Sequence, residues 1–142
     1  MGTRVGIVGS RHFPSREVVR SFIKSMPQDI VIVSGGAEGV DAWSVEIGNE
    51  LGMETIVLQA DWQRHGRKAG PMRNAEIVKN VAEVVAFWDG RSRGTLNTIV
   101  QATNSGVPVR VIDQSGNTLP TEWVLDQAKQ LGVTAGIEKA RA

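Results

Sequence analysis

Short apolar runs and helical spacings alternate along the whole chain. Runs at residues 3–8, 30–33, 54–58, 81–88 and 107–112 are rich in valine and isoleucine. A continuous run such as Ile30, Val31, Ile32 and Val33 reads as a strand buried on both faces. Between the runs the period changes. Val18, Val19, Phe22, Ile23 and Met26 fall on one face of a helix stopped by Pro27. Val40, Trp43, Ile47 and Leu51 mark a second helix, ended by Gly52. Met72, Ala75 and Val78 follow Pro71, which suits a first helical turn. Thr95 reads as the cap of a helix carrying Leu96, Ile99, Val100 and Thr103, with Gly106 as its stop. Thr121 opens a last helix bearing Val124, Leu125, Ala128 and Leu131. Residues 61–70 show neither period and read as a mobile polar loop. Residues 113–120 read as a turn-rich linker, and the chain from Gly132 on as loosely held.

Five strands alternating with helices predict a parallel sheet with right-handed crossovers. The expected fold is α/β, a Rossmann-like doubly wound parallel five-stranded sheet of order 3-2-1-4-5 with flanking helices. Residues 1–113 form the nucleotide-binding domain on this reading. Residues 114–142 are a linker and helix packed on the same domain. Ligands of such sheets sit outside the carboxyl ends of the strands, where the strand order reverses. The glycine-bearing turns after strands one, two and four all lie on that edge.

Composition narrows the chemistry. The 142 residues carry a net charge of +1, so bulk charge argues for no particular partner. Cysteine is absent, which removes disulfides, thiolate metal sites and cysteine nucleophiles. Two histidines, His12 and His65, are too few for a histidine-built metal site, and none is expected. No apolar run approaches the ~20 residues of a membrane span, so a cytoplasmic protein without membrane contact is expected.

The candidate residues gather on the turns. Ser34, Gly35 and Gly36 end the second strand and lead into a helix, an arrangement that turns backbone amides and a positive helix end toward one spot. Gly9, Ser10 and Arg11 form a similar turn after the first strand. Gly90, Arg93, Gly94 and Thr95 form another after the fourth. Arg73 is placed at a helix start, where a cation opposes the dipole, and this suggests a phosphate contact; Asn74 beside it is a partner for base or ribose. Asp41, in a first helical turn, suits ribose or catalysis. Asp89, directly after the fourth strand, is the other catalytic candidate. Trp62 and Trp88 stand at strand ends, where a ring can stack on a base.

Four motifs occur in one order over residues 3–112: Gly9-Ser10-Arg11, the stretch from Val33 through Ser34-Gly35-Gly36 to Asp41, Gly70-Pro71-Met72-Arg73-Asn74, and Gly90-Arg91-Ser92-Arg93-Gly94-Thr95. With them the chain resembles the SLOG superfamily, which joins the DprA/Smf DNA-processing proteins to the LOG cytokinin-activating hydrolases. Within it, the chain is similar to the YspA/YpsA-related branch. The LOG resemblance implies that Arg73 and the Gly94-Thr95 turn hold a nucleoside monophosphate whose base–ribose bond is cut. The LOG glutamate belongs three positions beyond Thr95, where this chain has Thr98. The DprA resemblance rests on Gly9-Ser10-Arg11, Ser34-Gly35-Gly36 and Arg73-Asn74, and implies binding of single-stranded DNA.

The leading expectation is a pocket for a nucleotide or nucleotide-derived ligand such as AMP or ADP-ribose, in a sensor or an N-glycosidic-bond hydrolase. No cofactor is required beyond such a phosphate-containing ligand. The alternative is a single-stranded nucleic-acid-binding module. A homodimer or higher homo-oligomer is expected, as in related LOG proteins.

Overall fold

The computed structural model describes residues 2–135. In chain order the elements are β1 (Arg4–Gly9), α1 (Arg16–Ser25), β2 (Val31–Ser34), α2 (Val40–Glu50), β3 (Thr55–Val57), α3 (Trp62–His65), α4 (Ala69–Lys79), β4 (Glu83–Phe87), α5 (Arg93–Asn104), β5 (Val109–Ile112), β6 (Thr118–Leu119) and α6 (Thr121–Gln130). They form one mostly parallel sheet of order β3-β2-β1-β4-β5-β6. The expected 3-2-1-4-5 core is present. A sixth strand extends it, pairing antiparallel to β5 through Val111 with Leu119 and Ile112 with Thr118.

The alternation of each strand feeds two cores. Val8, Val33, Val84, Ala86 and Val111 face Ile77, Leu96, Ile99, Val124 and Ala128. Val5, Ile7, Ile32, Val85 and Phe87 face Val19, Ile23, Val40 and Ile47 on the other side. With helices on both faces, strand positions of either parity are apolar, which is why the runs look continuous in sequence. Phe87 is fully buried and meets Phe13 and Phe22 edge-on at 5.8 and 5.7 Å. Burial of such a ring contributes roughly 1.5–3 kcal/mol.

Five local expectations need correction. Residues 61–70 are ordered: Asp61 accepts from the Arg64 amide at 3.1 Å and caps α3, and a single 3-10 turn at Gly66–Lys68 leads into α4. α4 therefore begins at Ala69, and Arg73 lies beyond its first turn instead of opening it. The cap of α5 is Ser92, with Thr95 three residues inside. The turn at 113–120 contains β6, because Asp113 accepts from the Ser115 and Asn117 amides and folds the chain back on β5. Residues 132–135 are also held, with Val133 bonded to the Ala128 carbonyl at 2.8 Å and Ala135 buried. The rest of the expected loose end, from residue 136, lies outside the described residues. Among these, no helix is long and apolar enough to cross a membrane.

Candidate functional site

The beginnings of α2, α4 and α5 surround one cavity of about 390 Å³ at the carboxyl edge, beside the point where β1 separates β2 from β4. Gly9 and Arg11 reach it from the end of β1, Ala37, Glu38 and Asp41 from the start of α2, Gly70, Pro71, Arg73 and Asn74 from α4, and Ser92 to Thr95 from α5.

The turn after β2 builds the floor. Gly35 is buried, and a Cβ there would lie 2.4 Å from Arg73 Nη1 and 2.8 Å from Asp41 Oδ2. Only a residue without a side chain leaves room for both groups. Arg73 Nη1 donates to the Gly35 carbonyl at 2.7 Å, and its Nε donates to Asn74 Oδ1 at 2.9 Å. The guanidinium is thereby fixed, while Nη2 brings two further N–H donors. Gly39 caps α2 with φ +80, and a Cβ there would lie 2.4 Å from the Arg11 carbonyl oxygen. This contact holds the Arg11 backbone against the start of α2, and the left-handed φ is one that other residues adopt at a cost.

Asp41 is the least comfortable group in the site. It is 5% exposed, and its Oδ1 has no hydrogen-bond partner among the described residues. Oδ2 accepts a long bond, 3.4 Å, from the Ala37 amide. Burial pushes the carboxyl up to about 6, although the Arg73 charge and the amides of Ala37 and Gly9 pull the other way. The backbone beneath is firm, since the Asp41 carbonyl accepts from Ser34 Oγ at 3.0 Å and Ser44 Oγ at 2.7 Å.

The start of α5 forms the opposite wall. Ser92 Oγ accepts from the Thr95 amide at 3.2 Å and lies 2.9 Å from Thr95 Oγ1. This leaves the first-turn amides of Arg93 and Gly94 and the positive helix end facing the site. Trp62, 60% exposed, stands on the rim above Gly70. Behind the wall runs a polar seam. Asn74 Nδ2 donates to Asn97 Oδ1 at 3.0 Å, Gln101 Nε2 donates to the same oxygen at 2.9 Å, and Asn97 Nδ2 donates to the Thr134 carbonyl at 2.8 Å.

Of the residues singled out in sequence, Gly9, Arg11, Asp41, Trp62, Arg73, Asn74, Arg93, Gly94 and Thr95 line this one cavity, with Gly35 directly beneath. Others lie elsewhere. Ser34 is fully buried, its hydroxyl taken by the Gly36 amide and the Asp41 carbonyl. Gly36 is exposed beside Val57 and is not part of the lining. Ser10 is buried and accepts from the Asp89 amide at 3.1 Å. Asp89 and Gly90 open on other grooves. Burial raises the Asp89 carboxyl, but the amides of Arg91 and Ser92, with Ser10, outweigh this and lower it overall, so it sits ionised in its own turn. Trp88 offers no face to a base: it is 3% exposed, donates to the Ser92 carbonyl at 3.1 Å and packs edge-on against Trp123. Asn74 spends its amide on Arg73 and Asn97, so it positions its neighbours. Arg93 donates to the Leu131 carbonyl beyond α6. Thr98, where the LOG pattern has glutamate, lies in the cavity wall with its hydroxyl on the Gly94 carbonyl. Ser92, Gly39 and Asn97 were not picked out; the signal for Ser92 was a serine three residues before Thr95, and that for Asn97 was an amide among inward-facing apolar residues.

The model of the family "DNA recombination-mediator protein A" matches residues 1–87. The chain is 37% identical over 116 residues to the Gene 61 protein of Mycobacterium phage D29, covering 75% of this chain and 93% of that protein. It superposes on DNA processing protein A (DprA) of Streptococcus pneumoniae with a TM-score of 0.71 at 23% identity, over 92% of this chain and 56% of that one. DNA processing protein A of Helicobacter pylori, whose structure concerns its binding of single-stranded DNA, superposes with a TM-score of 0.61 at 20% identity, over 93% and 74%. At these identities the two structures speak for the fold. The chain also spans little more than half the length of the pneumococcal protein. The family match covers more than half of the chain and takes in the Gly9-Ser10-Arg11, Ser34-Gly35-Gly36 and Arg73-Asn74 motifs, and the chain belongs to the DNA recombination-mediator protein A family.

Proposed function

We propose that the chain binds single-stranded nucleic acid across this cavity, seating one backbone phosphate between the Arg73 guanidinium and the start of α5, with a neighbouring base stacked on Trp62. The observation that carries this reading is an exposed indole standing over a floor of helix-start amides and fixed arginine. Proteins that hold single strands combine a cationic groove with aromatic platforms in this way. Membership of the family adds to it, as does the single-stranded DNA bound by the Helicobacter pylori neighbour. Arg11 and Arg93 line the cavity, and Arg64, Arg67 and Lys68 extend the basic surface along α3 and the following turn. Glu38 and Asp41 partly offset them, so affinity depends on a few placed contacts and little on bulk charge.

Fluorescence anisotropy with a dye-labelled oligo-dT tests the proposal. With two or three phosphates contacted, log Kd rises with log salt at a slope of about 1.4–2.1. Binding that ignores salt, or AMP competing as well as the strand does, would return the site to a mononucleotide, a ligand for which the cavity volume of about 390 Å³ is also adequate. Trp62→Ala is expected to weaken strand binding by about 1–3 kcal/mol while leaving the melting midpoint in place, because the ring is largely outside the core. An unchanged Kd would remove the stacking contact.

A further inference from the structure

The interior of the cavity contains one group that a phosphate does not explain. Asp41 is 5% exposed, lines the cavity and keeps Oδ1 without a hydrogen-bond partner among the described residues. A buried carboxylate oxygen in this condition is costly, and protein interiors rarely leave one. Arg73 approaches the same small space beside Gly35 but gives its Nη1 and Nε to the Gly35 carbonyl and to Asn74. The Ser34 and Ser44 hydroxyls bond the Asp41 backbone and not its side chain. The fold has thus fixed the main chain of Asp41 and left one acceptor of its side chain unused, buried in the wall of the cavity.

We propose that Asp41 Oδ1 receives an N–H or O–H donor of the bound nucleotide, so that the cavity selects among nucleotides by their donor groups and does not grip strand backbone alone. This rests on the nucleic-acid reading of the same cavity. An anionic oxygen repels a phosphate and accepts a donor, and the two preferences divide the cavity in two. Arg73 and the start of α5 suit the phosphate, whereas the Asp41 side suits a base amine or a 2′-hydroxyl. Carboxylates read amines on base edges by this contact elsewhere, and the 2′-hydroxyl is the donor that separates RNA from DNA. Burial raises the proton affinity of Asp41, as befits a carboxylate held away from water.

The experiment compares hexamers that differ by one donor. Alternating thymine–adenine is set against its 6-desamino purine counterpart, thymine–cytosine against its 4-desamino counterpart, thymine–guanine against thymine–hypoxanthine, and oligo-rU against oligo-dU. Wild-type protein is expected to separate at least one pair by tenfold or more; the first three pairs point to a base amine and the last to the sugar. Asp41→Leu, which removes the acceptor, is expected to collapse that separation below threefold. Asp41→Asn, which keeps an uncharged oxygen, should reduce the separation to an intermediate value, and serves as the test if the leucine variant does not fold. Separation below threefold for every pair in wild type, or a separation unchanged by the substitutions, overturns the donor contact and leaves strand binding standing. Failure of wild type to bind any hexamer overturns both.

Discussion

Replacing Gly35 with alanine is expected to weaken binding of a single-stranded oligonucleotide by about 10- to 100-fold while the protein stays folded. A Cβ at this position has its nearest neighbours in the Arg73 guanidinium, at 2.4 and 2.7 Å, and in the Asp41 carboxylate, at 2.8 Å. Both are side-chain ends that can swing away, and Gly35 does not have a left-handed φ, so the backbone accepts alanine. The cost falls on the site. Arg73 loses its place against the Gly35 carbonyl, and a hydrogen bond to a charged group contributes about 1.5–3 kcal/mol. Anisotropy titration with a circular-dichroism melt on the same sample makes the check. Wild-type affinity in a folded Gly35→Ala protein would show that the fixed guanidinium takes no part in binding. Gly36 is a poorer probe, since its side of the turn faces Val57.

Asp41→Asn is expected to stabilise the free protein, by up to about 3 kcal/mol above pH 6. The carboxyl stands near 6 in the folded chain and at 3.8 in the ordinary range, and each pH unit of difference corresponds to about 1.4 kcal/mol. The sign follows from where the proton is held. Between these two values the folded state keeps a proton that the unfolded state has released, so wild-type stability falls as pH rises from about 4 to 6 and is level beyond. Asparagine carries no charge and escapes that loss. Urea unfolding at pH 8 should therefore place the variant above wild type, and the gap should close toward pH 4. A variant that is less stable than wild type at pH 8 would mean that the ionised carboxylate is well solvated or better bonded than its surroundings indicate. A residue whose removal stabilises the fold is one that stability alone does not require.

Much of this architecture is legible in the sequence. Strands buried on both faces, such as Val84 to Phe87, announce themselves because every position is apolar. The period of Val19, Ile23 and their neighbours is equally direct, since α1 buries one stripe. β6 escaped because it is two residues long and lies in a turn set by Asp113. Residues 61–70 looked unstructured because α3 buries none of its residues and so shows no apolar period; its cap, Asp61, was the available sign. In the site, the glycine turns pointed to the right edge of the sheet, but not to which polar atoms remain open there. Ser10 and Ser34 have the composition of ligand contacts, yet their hydroxyls are spent on Asp89 and Gly36. Trp62 and Trp88 look alike as strand-end aromatics, but Trp62 opens α3 on the surface while Trp88 is covered by Trp123 and bonded to the Ser92 carbonyl. Local sequence specifies which groups are near an edge. Some of them are bonded by neighbours in the chain, as Ser34 is by Gly36, and others by partners 20 to 79 positions away, as with Asn74 and Gly94 or Ser10 and Asp89.

The seam behind the α5 wall ties distant parts of the chain to the cavity. Asn97 donates to the carbonyl of Thr134 and Arg93 to that of Leu131, so two residues of α5 grip the chain just beyond α6. The last helix is thus fastened to the cavity by its far end. Strain on the chain past residue 131 is therefore passed directly to the helix whose start forms the cavity wall.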